Sequence, residues 1–243
     1  MNTPEVMSAL GIGQGSRVAV SGCGGKTSLI NSFARESAGN MSVLITPTTK
    51  IRPERDDGVF LVKTREECLA HIPRRGIQCM GVLNAATGKL EALSPDDLSA
   101  IVPRYDLALM EADGSRGLPC KGWTERDPVI PGFATHTIGV VSIKAVGLCA
   151  SEENIFRLGE FLRLTGMTKG ESVTIRALAL MIASPEGMFR RKSGTVSVMI
   201  NQAESPGLMK LARELAEEIR GISASAHLKI FAGSAIAGEW TEL

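Results

Sequence analysis

Apolar positions along this chain follow two alternating rhythms. Short runs rich in β-branched residues, at 17–21, 42–46, 59–63, 79–83, 107–112, 137–143, 195–200 and 228–232, predict strands. Between them the spacing lengthens to that of a helix. Over 26–38, Leu29, Ile30, Phe33 and Ala34 share one face, and Leu208, Leu211, Leu215 and Ile219 recur at steps of three and four. The segment 64–71 predicts a short charged helix. The segment 94–101 opens on Ser-Pro-Asp-Asp, with Ser94 as cap and Pro95 at the first helical position. Strands alternating with helices predict an α/β fold with a mainly parallel sheet flanked by helices. The stretch 151–190 reads as helices alone, at 152–164 and 174–183. It predicts a helical insertion within a single domain spanning 1–243.

Composition narrows the function classes. With 44% hydrophobic residues in 243, the chain has enough apolar surface for a sizeable core. Lys plus Arg number 27 against 26 for Asp plus Glu, a formal charge of +1. That balance predicts neither a nucleic-acid binder nor a protein of anionic membranes. No apolar run approaches bilayer length, and MNTPEVMSAL lacks a basic n-region and an apolar h-region. Cys23, Cys68, Cys79, Cys120 and Cys149 show no C-x-x-C spacing, and His71, His136 and His227 are far apart. The expectation is a reduced, cytoplasmic protein without a structural zinc site or a His-rich metal centre.

The candidate chemistry starts at VAVSGCGGKTSLINSF, residues 18–33. A phosphate cradle needs backbone that approaches an anion closely, converging N–H groups, a cation, and a hydroxyl for Mg²⁺. Gly22, Cys23, Gly24 and Gly25 form the loop, and Lys26, Thr27 and Ser28 open the helix. This is shorter than the full G-x-x-x-x-G-K-[ST] pattern, because Val20 stands where the first glycine would be. A similar shortened loop, G-x-x-G-K-T, occurs in Mur-type ligases. The strand before and the helix after give the loop its P-loop NTPase-like context.

Ligands of open α/β sheets bind at the carboxyl ends of strands. After the second strand come Thr48, Thr49 and Lys50, suited to a polyphosphate or its Mg²⁺. After 107–110 come Glu111 and Asp113. On a continuing strand they point the same way, both towards one metal or one towards metal and one towards the nucleophile. Asp106, at the other end of that run, reads as structural. The loop beyond carries Ser115, Arg116 and Lys121, able to close over a γ-phosphate or an acidic substrate. After 196–200 comes Asn201-Gln202-Ala203-Glu204, where GTPases have Asn-Lys-x-Asp; Glu204 in place of Asp can still accept from a guanine. Both ATP and GTP remain open.

Read together, V-S-G-C-G-G-K-T, I-T-P-T-T-K-I, E-A-D-G-S-R-G-L-P-C-K, D-P-V-I-P, S-E-E-N, S-P-E-G and N-Q-A-E resemble, in order, the YqeC proteins. That family is described as accessory to selenium-dependent hydroxylases. The likeness runs from Val18 to about Glu204. It implies a P-loop nucleotide-binding fold and a link with maturation of a selenium-dependent molybdenum hydroxylase or its cofactor machinery. It implies roles for Gly22, Gly24, Gly25, Lys26, Thr27, Glu111 and Asp113. The chain departs from the family's N-K-x-D at Gln202 and Glu204, from its Gly-Leu-Asp-Ala-Leu-Gly-Lys at 141–147, and from its His-Arg near Asn154, where Phe156 and Arg157 stand; the last two bear on a substrate or partner surface.

The leading expectation is a Mg²⁺-dependent ATP or GTP hydrolase with Lys26, Glu111 and Asp113 as catalytic residues and Thr27, Glu111 and Asp113 around the metal. A small-molecule kinase or acyl-phosphate ligase, and a non-catalytic nucleotide-sensing scaffold, are the alternatives. Cys23 adds a side expectation, a thiol activated at a helix N-terminus.

Overall fold

The structure is a computed structural model that describes residues 1–53, 58–222 and 228–243; His227 lies outside them. In chain order the elements are α1 (Thr3–Leu10), β1 (Ser16–Gly22), α2 (Lys26–Ala38), β2 (Ser42–Pro47), β3 (Lys50–Ile51), β4 (Val59–Val62) and α3 (Arg65–Ala70). There follow β5 (Gly76–Met80), β6 (Val82–Asn84), β7 (Lys89–Glu91), α4 (Pro95–Ile101), β8 (Leu107–Glu111), β9 (Cys120–Lys121) and β10 (His136–Ser142). The last are β11 (Ile155–Phe156), α5 (Leu158–Thr165), α6 (Ile175–Ala183), β12 (Thr195–Asn201), α7 (Pro206–Ile222), β13 (Lys229–Ser234) and β14 (Glu239–Glu242).

Nine strands form one sheet in the order β14-β13-β12-β10-β1-β8-β2-β5-β4. All its pairings are parallel except β13 with β14. The fold is thus α/β with a mostly parallel sheet flanked by helices, as its sequence pattern predicts. Strand β1 sits inside, between β10 and β8. A parallel strand buried on both faces must be apolar throughout, and the core shows it. Val18 and Val20 of β1, Val43 and Ile45 of β2 and Leu107 and Leu109 of β8 pack with α1 and α2 on one face. Ala19, Leu44, Ala108 and Met110 turn to α4 on the other. On that same face Val198, Ile200, Ile230 and Ala232 meet α6 and α7.

Several elements differ from expectation. Helix α1 is unforeseen, although Asn2 and Glu5 form a reciprocal capping box at its start. The run 79–83 is not one strand. It breaks at Gly81, where a Cβ would lie 2.8 Å from the Glu91 carbonyl, and its second half joins a separate antiparallel sheet, β3-β7-β6. The segment 151–190 is not helical throughout. The helix expected from 152 begins only at Leu158, because Ile155–Phe156 pairs in parallel with Cys120–Lys121. Among the described residues no helix is long and apolar enough to cross a membrane.

Candidate functional site

Strand β1 ends at Gly22 and helix α2 starts at Lys26, so the glycine loop lies at the carboxyl edge of the sheet. Its shape depends on missing side chains. Gly22 has φ 113° and a Cβ there would stand 2.1 Å from the Val140 carbonyl oxygen. Gly25 has φ 128° and a Cβ would meet Asn201 Nδ2 at 2.1 Å. Both conditions select glycine. Among the described residues, no backbone bond outside the regular elements uses the amides of Gly24, Gly25, Lys26, Thr27 or Ser28 as donors. The last three also lack intrahelical acceptors, as the first amides of any helix do. The five residues that carry these donors line one cleft.

The Cys23 amide is not among them: it donates to Val140 O at 2.9 Å. Its thiol is fully buried, packed in the core with Cys120, whose own thiol donates to Met181 Sδ at 3.5 Å. Burial, then the neighbouring thiol, pushes Cys120 well up. Cys23 is a loop filler rather than an exposed nucleophile, and this corrects its place among the ligand-binding residues.

Three charged residues converge beneath the loop. Lys26, 4% exposed, donates to the Gly22 carbonyl at 2.7 Å and stands 3.3 Å from Asp113 Oδ1 and 4.0 Å from Glu111 Oε1. Burial alone would lower its pKa; the charges of Asp113 and Glu111 outweigh that and move it up. An ammonium has three donors, so after Gly22 and Asp113 one remains. Thr27 donates to Glu111 Oε2 at 3.1 Å. Glu111 is shifted up, first by burial, against the pull of Lys26 and Thr27.

Asp113 differs from the metal or nucleophile carboxylate expected of it. It is fully buried, and both oxygens are engaged. The Gly22 amide donates to Oδ1 at 3.1 Å and Oδ2 at 3.2 Å. Ser21 Oγ (2.9 Å), Lys121 Nζ (3.0 Å) and Trp123 Nε1 (2.7 Å) also donate to Oδ2. Burial would raise its pKa; Lys26, Lys121 and the Trp123 bond reverse that and hold it below the usual carboxylate range. Asp113 ties loop to sheet, leaving no oxygen for a metal. Lys121 likewise is no mobile loop cation: it is fully buried between Asp113 and Asp127, 3.0 Å from each.

The cleft above the loop has a volume of about 910 Å³. Gly24, Gly25, Lys26, Thr27, Ser28, Thr49, Lys50, Glu111, Ser115 and Arg116 of the expected residues line it. Thr48 does not: its hydroxyl donates to Val129 O at 2.6 Å and its amide to Glu111 O at 3.0 Å, a brace for the strand ends. The Thr49 hydroxyl is buried and has no hydrogen-bond partner among the described residues. The Asp106 carboxylate lies at the amino edge, accepting from Ser42 N and Oγ at 2.8 and 2.7 Å. His71 stacks on Phe60 with centroids 5.2 Å apart, and His136 Nδ1 lies 2.8 Å from Thr135 Oγ1.

The fit to Mg²⁺ rests on Thr27, Glu111 and the unpartnered Thr49 hydroxyl, oxygen groups of the hard type that ion takes with phosphate oxygens. Among the described residues no cluster of three His, Cys, Asp or Glu side chains could hold a metal alone.

Two strands away along the same carboxyl edge Asn201, 4% exposed, donates to Gly24 O at 2.9 Å and accepts from Ala235 N at 2.8 Å. It staples the glycine loop to the turn after β13. Glu204 pairs with Lys144 at 3.0 Å and lines a different cavity from the cleft. Gln202 takes a left-handed backbone (φ 65°) and accepts from Ser142 Oγ. A further pocket of about 460 Å³ lies beside Ser28, lined by Thr3, Ser32, Arg35 and 235–238. Ser28 borders both it and the cleft. Sequence reading missed Arg52 and Lys89 of the cleft wall and marked Phe156 and Arg157 only as a departure from the family pattern, not as cleft residues. The unforeseen short strands β3, β7 and β11 and the residues beside them bring those side chains in.

Comparison with known proteins agrees with the motif order. Residues 18–159 match the family described as YqeC protein. The chain is 30% identical over 182 residues to "Uncharacterized protein YqeC" of Escherichia coli (strain K12), covering 71% of this chain and 70% of that protein. With the glycine loop, the E-A-D-G block and this overall likeness in place, the chain belongs to the YqeC family.

Proposed function

We propose that the cleft binds a Mg²⁺-nucleoside triphosphate, ATP or GTP, and supports its hydrolysis or phosphoryl transfer. The observation that carries this is the conjunction at one loop of five undonated amides, a buried lysine with a donor to spare, and a threonine hydroxyl on a carboxylate. Such loops stabilise charge on phosphate oxygens chiefly by positioning and electrostatics. Lys26 and the amides of Gly24 to Ser28 would hold the outer phosphates. Thr27 and Glu111 would hold the metal, directly and through water, with Thr49 beside them. Bound Mg²⁺ would neutralise charge developing between the phosphates. Asp113 acts one step back, as the positioning residue that fixes Lys26 and the loop entrance. The nucleoside end fits the pocket across Ser28, between α2 and the 235–238 turn.

The resemblance to proteins described as accessory to selenium-dependent hydroxylases supports placing this activity in the maturation of a selenium-dependent molybdenum hydroxylase. Energy or a phosphoryl group from the nucleotide would serve that step.

The test is thermal unfolding with ATP or GTP, each with and without Mg²⁺, on wild type and Lys26→Ala. A ligand at a hundred times its Kd stabilises by about 2.7 kcal/mol. The expected result is a Mg²⁺-dependent shift lost in Lys26→Ala. No shift with either nucleotide overturns the reading.

A further inference from the structure

The cleft holds more positive charge than the glycine loop accounts for. Lys26, Lys50, Arg52, Lys89, Arg116 and Arg157 line it, against Glu111 and Asp127. Some of this charge is already neutralised. Lys50 pairs with Glu91 at 2.7 Å, Arg157 pairs with Asp127, and Lys26 is held by Asp113. Arg116 and Lys89 have no ion pair among the described residues.

Arg116 is nevertheless held in place. Its guanidinium carbon lies 5.0 Å from the centroid of Phe156, and Arg157 lies 5.0 Å from the same ring. Phe156 is itself set by β11, in register with Lys121. Arg116 and Arg157 both take left-handed backbone, φ 55° and 58°. For a residue with a Cβ that backbone is disfavoured and persists only where the surroundings over-determine it. Two arginines are thus positioned around one ring, in the wall of the cleft that the glycine loop also lines. The volume bears on this too. Pockets for whole small ligands span about 300–1,000 Å³, and this cleft is about 910 Å³. A nucleotide whose base lies across Ser28 leaves only its phosphates here.

We propose that the outer half of the cleft, between Arg116, Arg157 and Lys89, binds the phosphate group of a second substrate, a phosphorylated small molecule, facing the glycine loop. Three of the cleft cations, Arg52, Lys89 and Arg116, have no ion pair among the described residues, and Arg116 with either of the others supplies the two charges that match a dianion; a phosphate monoester carries about −1.5 to −2 at pH 7. A lone carboxylate would answer only one of them. The inference deepens the nucleotide reading and takes from it that the triphosphate occupies the loop.

The experiment is calorimetric titration of the full chain with methyl phosphate, and with acetate at matched ionic strength. It is run with and without Mg²⁺ and a non-hydrolysable triphosphate. The proteins are wild type, Arg116→Gln, Lys89→Gln and Lys26→Ala, with circular dichroism confirming the fold of each. The expected result is methyl phosphate binding that persists beside the nucleotide and in Lys26→Ala. It should weaken about tenfold in Arg116→Gln, and less in Lys89→Gln, in line with loss of one charge-assisted contact. Acetate should bind about tenfold or more weakly than methyl phosphate. Methyl phosphate that the nucleotide displaces, that Lys26→Ala abolishes, or that Arg116→Gln leaves unchanged overturns the proposal, as does equal affinity for acetate. Failure of the nucleotide reading shows separately, as absent triphosphate binding, while the Arg116 comparison without nucleotide still reports on this site.

Discussion

Two parts of the sheet's carboxyl edge are built differently, the glycine loop after β1 and the segment after β12. At the glycine loop, Lys26 and Asp113 are buried, and the strand register of β1 and β8 places Val20 beside Glu111. After β12, Glu204 is half-exposed and tied to a surface lysine, and Gln202 bends away in a left-handed turn. Only Asn201 is shared, bonded to both the loop and the 235–238 turn. Buried charge with a full set of partners makes a rigid site. An exposed pair in water contributes little. The glycine-loop part is therefore the rigid one, and the segment around Gln202 and Glu204 is the one with room to vary.

The sharpest way to break this contrast is at Asp113. Removing one partner of a buried ionic network costs about 3–5 kcal/mol. Asp113→Ala should lose stability on that scale in urea unfolding; a loss below about 1 kcal/mol would show the network to be solvated. Next comes Asn201→Ala, which strips two hydrogen bonds from a buried position. About 1–3 kcal/mol is expected, with weaker nucleotide binding from the loosened loop.

Acid should separate the two parts further. Asp113 and Asp127 titrate below the usual carboxylate range. A depressed native pKa gives stability that is fully present above the unfolded value, about 3.9, and is lost as pH falls through the native one. The wild type should therefore lose stability steeply below about pH 4. Asp113→Asn should show a shallower acid limb. The smallest effect is expected at Glu204→Gln, about 0.5 kcal/mol or less in stability. A large change there in the ratio of ATP to GTP binding would overturn the contrast by making Glu204 a base reader.

Much of this was legible from residue pattern, and the reasons are local. The glycines, Lys26 and Thr27 announce themselves because their chemistry needs fixed spacing along one chain segment. Strands β1, β2, β8, β10 and β12 are apolar runs because both faces are covered. What escaped was set by distant partners. Asp113 reads as a second catalytic acid until Lys121, Trp123 and Ser21 are seen closing on it from three segments. Thr48 and Thr49 look alike in sequence; only the fold bonds one to Val129 and leaves the other facing the cleft. Strand β2 follows β1 in the chain, yet β8 lies between them in the sheet. Phe156 and Arg157 carry no motif. Their place depends on a two-residue pairing with Cys120–Lys121, too short to leave a period.

The five thiols divide the molecule by time. Cys149 is exposed, and Cys23, Cys68, Cys79 and Cys120 are buried. A membrane-impermeant alkylating reagent should therefore mark native protein once, at Cys149. Each later label then counts an opening event, because a buried thiol reacts only while its surroundings are apart. Cys23 lies inside the glycine loop with its thiol in the core, so its labelling rate is a clock for the parting of that loop from the core beneath it. Any molecule that settles on the loop amides slows this clock and leaves the clock at Cys68 running as before.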